Sequence, residues 1–112
     1  MAAPRKRRSV SKQLTTSTQD IYVAPPRFEA DIVTIFISNI SSASATITLQ
    51  IYNAEGATTF VILQSVVIAA NSILQISDPF YLLVNDKIQG LASVNSALNV
   101  TVTVNEENKG AL

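Results

Sequence analysis

Five cations, Arg5, Lys6, Arg7, Arg8 and Lys12, are gathered in the first twelve residues, and no carboxylate precedes Asp20. Such a cluster can screen phosphates or dock on carboxylates. Five charges would neutralise about five phosphates and make binding strongly salt-dependent. No aromatic side chain is interleaved among them, so stacking on bases is not indicated, and contact with DNA through this arm would be non-specific. Residues 14–112 carry three basic and eight acidic side chains, so a net charge of zero hides an arm of +5 and a body of −5. Arm and body therefore attract. The favoured reading is an arm that docks on an acidic surface of a neighbouring subunit, the body of the next copy being one candidate. A solvated terminus and a nuclear-localisation signal at Pro4 to Arg8 are the plainer alternatives.

Catalytic chemistry has little to work with. Histidine and cysteine are both absent, which removes Ser–His–Asp and Cys–His nucleophiles, imidazole acid–base catalysis, disulfides and nearly all zinc geometries. Asp78 and Asp86 flank residues 80–84, and Glu106 and Glu107 follow the last strand; both pairs read as turn and strand-end residues. An oxygen-only calcium site at Asp78 and Asp86 has no supporting ligand spacing. Gly56, Gly90 and Gly110 stand apart, so no phosphate-cradling loop exists. Asn39 and Asn99 open glycosylation sequons that read as chance matches without a signal peptide. No catalytic residue, metal, cofactor or small-molecule substrate is expected.

The elements that must carry these residues are strands. In residues 45–52, Ile47, Leu49 and Ile51 alternate with Thr46, Thr48, Gln50 and Tyr52. Residues 98–105 repeat this with Leu98, Val100, Val102 and Val104. A period of two marks a strand with one buried and one wetted face. Residues 32–37 set Val33, Ile35 and Ile37 against Ile32, Thr34 and Phe36, a strand covered at least partly on both faces. Further strands are expected at 13–23, 58–67 (one, or two joined at Gln64-Ser65), 72–77, 80–83 and 87–93. Turn residues separate them at 24–26, 41–45, 53–56, 70–72, 78–79 and 85–86. Seven or eight short strands without a 3.6-residue apolar period predict an all-β antiparallel β-sandwich, jelly-roll- or Ig-like, behind an extended basic N-terminal arm. The division is an arm at 1–13, a sandwich domain at 14–106 and a tail at 107–112. The longest apolar stretch, residues 60–70, is far short of the roughly 20 residues of a membrane helix, and no membrane partner is expected.

Tyr22-Val-Ala-Pro25, Ala30-Asp-Ile-Val-Thr-Ile-Phe-Ile-Ser-Asn39, Ile68-Ala-Ala-Asn-Ser72 and Leu82-Leu-Val-Asn-Asp-Lys-Ile88 occur in that order. Together they resemble the turns and strands of small β-sandwich virion structural proteins of tailed bacteriophages, over residues 14–106. Two prolines and no glycine at 24–26 depart from the pattern. The resemblance implies a non-enzymatic virion component, capsid-associated or a head–tail or tail accessory. Its partners would be copies of itself and other virion proteins, and it would be assembled in the host cytoplasm. A receptor- or carbohydrate-binding module on such a particle is the alternative.

Phe60, Val61 and Ile62, within an apolar run at 60–69, have two readings. As a central strand they are core; as a strand with one face left over they are a subunit interface, because large exposed apolar faces are rare on monomers. Phe80 and Tyr81 raise the same alternatives, aromatics being enriched at interface centres.

Overall fold

The computed structural model describes residues 5–77 and 80–108. Nine strands are present: β1 (Arg5–Gln13), β2 (Gln19–Val23), β3 (Phe28–Asn39), β4 (Ala45–Asn53), β5 (Thr58–Ile68), β6 (Ile73–Ile76), β7 (Phe80–Leu82), β8 (Lys87–Ala92) and β9 (Leu98–Asn108). No helix occurs among the described residues. The turn Asp78-Pro79 lies outside them.

The pairing nests. β4 and β5 form a hairpin around residues 54–57; outside it β3 pairs with β6 and β7, then β2 with β8, then β1 with β9. The chain is thus one long antiparallel ribbon, and rolling it brings β3 beside β9 and β4 beside β8. Two sheets result, β1-β9-β3-β6 with β7 also on β3, and β2-β8-β4-β5. This is the strand order of a jelly roll, with β6 and β7 sharing one of the eight positions.

Between the sheets lie Ile32, Ile35, Ile37, Val100, Val102 and Val104 from one layer and Ile47, Leu49 and Ile88 from the other, with Leu14, Leu82 and Leu98 closing the ends. The period-two segments take the faces expected of them: β4 and β9 alternate buried and half-buried residues. β3 does not keep the expected phase. A bulge between Ile32 and Thr34 puts two steps where one would be, so Ile32 joins Ile35 and Ile37 in the core while Val33 is only half-buried. A bulge leaves one residue unpaired and flips the alternation beyond it.

The single strand expected at 13–23 is divided. Leu14 is fully buried; its N–H donates to Leu98 O and its carbonyl accepts from Ser96 N. The chain turns there, and β2 begins only at Gln19, whose side chain accepts from Thr15 N. Arg5–Gln13, read in the sequence as an arm apart from the domain, runs antiparallel to β9 as the sheet's edge strand.

Candidate functional site

Rolling the ribbon leaves two lateral sides on which strands have a neighbour on one side only. One is bounded by β1 and β2, the other by β5, β6 and β7.

On the first side the cations divide by strand parity. Arg8, Val10 and Lys12 stand opposite Val104, Val102 and Val100, on the inward face; Arg7, Ser9 and Ser11 stand opposite Asn105, Thr103 and Thr101, on the outward face. Val10 packs against the core. The outward face is held by a ladder: Arg7 Nε donates to Asn105 Oδ1 at 3.0 Å, and Ser9–Thr103 and Ser11–Thr101 share hydroxyl hydrogen bonds of 2.9 Å.

Inward, Arg8 meets a buried carboxylate. Glu106 Oε2 accepts from Tyr22 Oη at 2.5 Å and lies 3.3 Å from Arg8 Nε, while the guanidinium sits 5.9 Å over the Tyr22 ring. Glu106 and Tyr22 are both buried. Burial pushes the Tyr22 phenol well above its usual range, and the adjoining Glu106 charge pushes it further. This cluster links β1 and β9 of one sheet to β2 of the other. It is built to hold strands together, since each polar group has a partner inside the domain. Of the five cations expected to contact a partner, Arg8 reaches Glu106 of its own domain while its side chain stays 43% exposed, Lys6, Arg7 and Lys12 are exposed, and Arg5 stands opposite Glu107 in the register. The acidic surface sought on a neighbour is supplied in part by this chain's own β9.

On the other side, β5 pairs with β4 alone. The central-strand reading of residues 60–69 is therefore corrected: β5 is an edge. Its core contribution is the buried Ile68 and the partly buried Ile62, Leu63 and Val66, whereas Phe60, Val61 and Val67 are 55%, 50% and 65% exposed. A period-two reading could not find the reason, a pair of bulges opposite β4. Partners skip from Val66 to Leu63 and from Leu63 to Val61, and Ser65 takes φ 48° while its N–H donates to Thr48 Oγ1. Tyr81 and Phe80 stand on β7 at the same lateral side, Tyr81 exposed and hydrogen-bonded to Glu29, Phe80 packed against the core. The five apolar candidates do not form one patch. Phe60 lines an open groove of about 330 Å³ with Glu55, Leu83 and Asp86, and Val61 stands across from Gln50 on the outer face.

The remaining carboxylate candidate has a structural task. Asp86 is buried and accepts from Ala54 N at 2.9 Å and Leu83 N at 3.0 Å, clasping the β4–β5 turn to the β7–β8 turn. Asp78 lies outside the described residues. Among the described residues no three His, Cys, Asp or Glu side chains converge on a metal position. Asn39, read in the sequence only as a strand end and a chance sequon, is buried; it donates to Ala43 O and Ile68 O and accepts from Ser41 N and Oγ. The outer face of the β1-β9-β3 layer holds a second open groove, about 420 Å³, where Phe36 lies among Ser11, Gln13, Ser38, Asn99 and Thr101.

No protein-family model matches the chain, and no curated protein sequence does. Solved structures do share its fold. A chain of the disulfide-linked pili of Bacillus endospore appendages superposes with a TM-score of 0.58 at 12% identity, covering 98% of this chain and 90% of that one. A chain of the acid-stable capsid of Helicobacter pylori bacteriophage KHP30 gives 0.57 at 5% identity, covering 100% and 94%. A chain of the virus-like particle of the Macrobrachium rosenbergii extra small virus gives 0.52 at 8% identity, covering 96% and 80%. At these identities the likeness is one of fold.

Proposed function

We propose that this chain is a non-enzymatic structural subunit of a viral particle, assembling with copies of itself through its lateral sides. The observation that carries the proposal is the β5 edge. An edge strand presents unpaired N–H and C=O groups, and soluble proteins blunt such edges with charge, proline or brevity. β5 has eleven residues without charge or proline and leaves three large apolar side chains half-exposed or more. A surface of this kind is suited to burial against another subunit. That similar folds occur in a phage capsid, a virus-like particle and a pilus supports the proposal. The finer placement, a capsid-associated or head–tail accessory protein of a tailed phage, rests on the turn-and-strand resemblance at residues 22–25, 30–39, 68–72 and 82–88. Non-specific DNA contact would fall to Lys6, Arg7 and Lys12, since Arg8 is engaged internally.

Native mass spectrometry and electron microscopy of the purified full-length chain test the proposal. Discrete oligomers or closed shells are expected; a monomer at every concentration tried would reject it.

A further inference from the structure

Resting on that proposal, we infer that residues 58–61 of β5 add edge-to-edge to the same residues of a second copy, antiparallel across a twofold axis. This would join two β2-β8-β4-β5 sheets into one continuous sheet of eight strands.

Comparison of the four edges leads there. β2 has five residues, β6 four and β7 three, and short edges are poor templates for pairing. β1 is long but bears Arg5, Lys6, Arg7, Arg8 and Lys12. Pairing β1 with its own copy would set like charges face to face, which is destabilising. β5 is long, and the sequence has no charged residue from position 56 to position 77. β1 against β5 gains nothing, since β5 offers no carboxylate to the cations. Charge compatibility thus leaves β5 complementary to itself.

The same strand sets the extent of the contact. The bulge between Leu63 and Val61 ends the regular run on one side, and the turn at 54–57 ends it on the other. Residues 58–61, Thr-Thr-Phe-Val, remain. A twofold axis perpendicular to a sheet preserves the side-chain faces. Opposed residues must share a face, so one residue of the run stands opposite its own mate. Centring the run puts that residue at Thr59 or Phe60.

The chain has no cysteine, so single-cysteine variants report directly. In full-length protein, residues 58–61 are changed to Cys one at a time and treated with oxidised glutathione. Self-opposed Cα atoms lie about 4.5–5.5 Å apart, within disulfide reach. A residue two positions from the axis is about 14 Å from its mate and cannot bridge. One strong self-crosslink is expected, at Thr59→Cys or Phe60→Cys, with none at Val67→Cys, Ser9→Cys or Ser11→Cys. Phe60→Lys places two ammonium groups at the axis or one residue from it and is expected to weaken dimerisation at least tenfold while the far-ultraviolet β spectrum is unchanged. Self-crosslinking at Ser9→Cys, or none within 58–61, overturns the inference, as does an intact dimer in Phe60→Lys. If the wild-type chain assembles while these results fail, only the edge pairing is lost; if it never assembles, the structural-subunit proposal falls with it.

Discussion

Removing a single oxygen from Tyr22 tests whether the Arg8–Glu106–Tyr22 cluster holds the outer strand in place. Tyr22→Phe keeps the ring, its packing and the cation–π contact, and deletes only the hydroxyl that donates to Glu106 at 2.5 Å. A hydrogen bond to a charged group is worth about 1.5–3 kcal/mol when its partner remains buried. Glu106 does remain buried, and its other contact is Arg8 at 3.3 Å, whose side chain is 43% exposed and so partly screened by water. Compensation by Arg8 is therefore small, and a loss of about 2 kcal/mol is expected. In a domain of this length that lowers Tm by roughly 10 °C. Urea denaturation of wild type, Tyr22→Phe, Arg8→Met and the double variant measures it. The two changes share one carboxylate, so their costs should depart from additivity by about 0.5 kcal/mol or more. Alkaline pH supplies an independent check. Burial and Glu106 raise the folded phenol above its ordinary value of 10.0, so the unfolded chain loses its proton first. The stabilisation is fully present below pH 10 and is lost as pH rises beyond it. The stability gap between wild type and Tyr22→Phe should narrow there. A cost below about 0.5 kcal/mol, or additive costs, refutes the role assigned to the cluster.

Other perturbations follow from the same contacts. Asp86→Ala strips two backbone N–H groups of their acceptor and should cost about 2–4 kcal/mol in chemical denaturation, Asp86→Asn less, since an amide oxygen can still satisfy one donor. Gly90→Ala places a methyl group 2.9 Å from Ile21 Cδ1 and 3.3 Å from Thr48 O; a cost of about 1–2 kcal/mol is expected, the Ile21 tip yielding while the strand does not. Deleting residues 1–12 bares the whole edge of β9, so the truncated chain should melt well below wild type; a truncation as stable as the parent would return residues 5–13 to the status of a free arm. Asp20 is held below the usual carboxylate range mainly by the Gln89 amide, then by Lys87 and Lys12. Its contribution is present above pH 4 and fades as pH falls further, and because it is exposed Asp20→Asn should barely move Tm at pH 7.

Strand existence was legible where one face is buried and the other wet. In β4 up to Gln50 and in β9 up to Glu106 each threonine or asparagine marks the outward step, and burial follows the alternation. β3 misled because Ile32, Val33, Ile35, Phe36 and Ile37 are all apolar. An apolar run carries no phase, and a bulge at Val33 costs the sequence no visible mark. β1 was missed as a strand of the domain for the opposite reason. Arg-Lys-Arg-Arg has no apolar alternation, since its anchors are the pairing with β9, the Ser–Thr ladder and a glutamate 98 positions from Arg8 in sequence. No local window contains that glutamate. Asn39 was visible as a strand end and Asp86 as a turn residue, but the carbonyl and amide partners that make them clasps lie 29 and 32 residues away in sequence. The candidate site was legible as composition only. The charge-free stretch from 56 to 77 could be read at once, but not that topology would place it at an edge.

The two long edges differ in a way that bears on assembly. If both β1 and β5 were open templates, each copy could pair on two sides, and head-to-tail addition would run on without closure. Cations on β1 oppose such addition through like-charge repulsion with another β1 and find no counter-charge on β5. Arg8 goes further, committing part of β1 to its own domain through Glu106 and Tyr22. Pairing through β5 alone is then isologous and stops at two copies, because each dimer presents only cationic or short edges outward. Growth beyond a dimer must use other surfaces, such as the loops and outer sheet faces. On this reasoning the +5 on the first twelve residues governs where pairing ends, and the uncharged stretch from 56 to 77 governs where it begins.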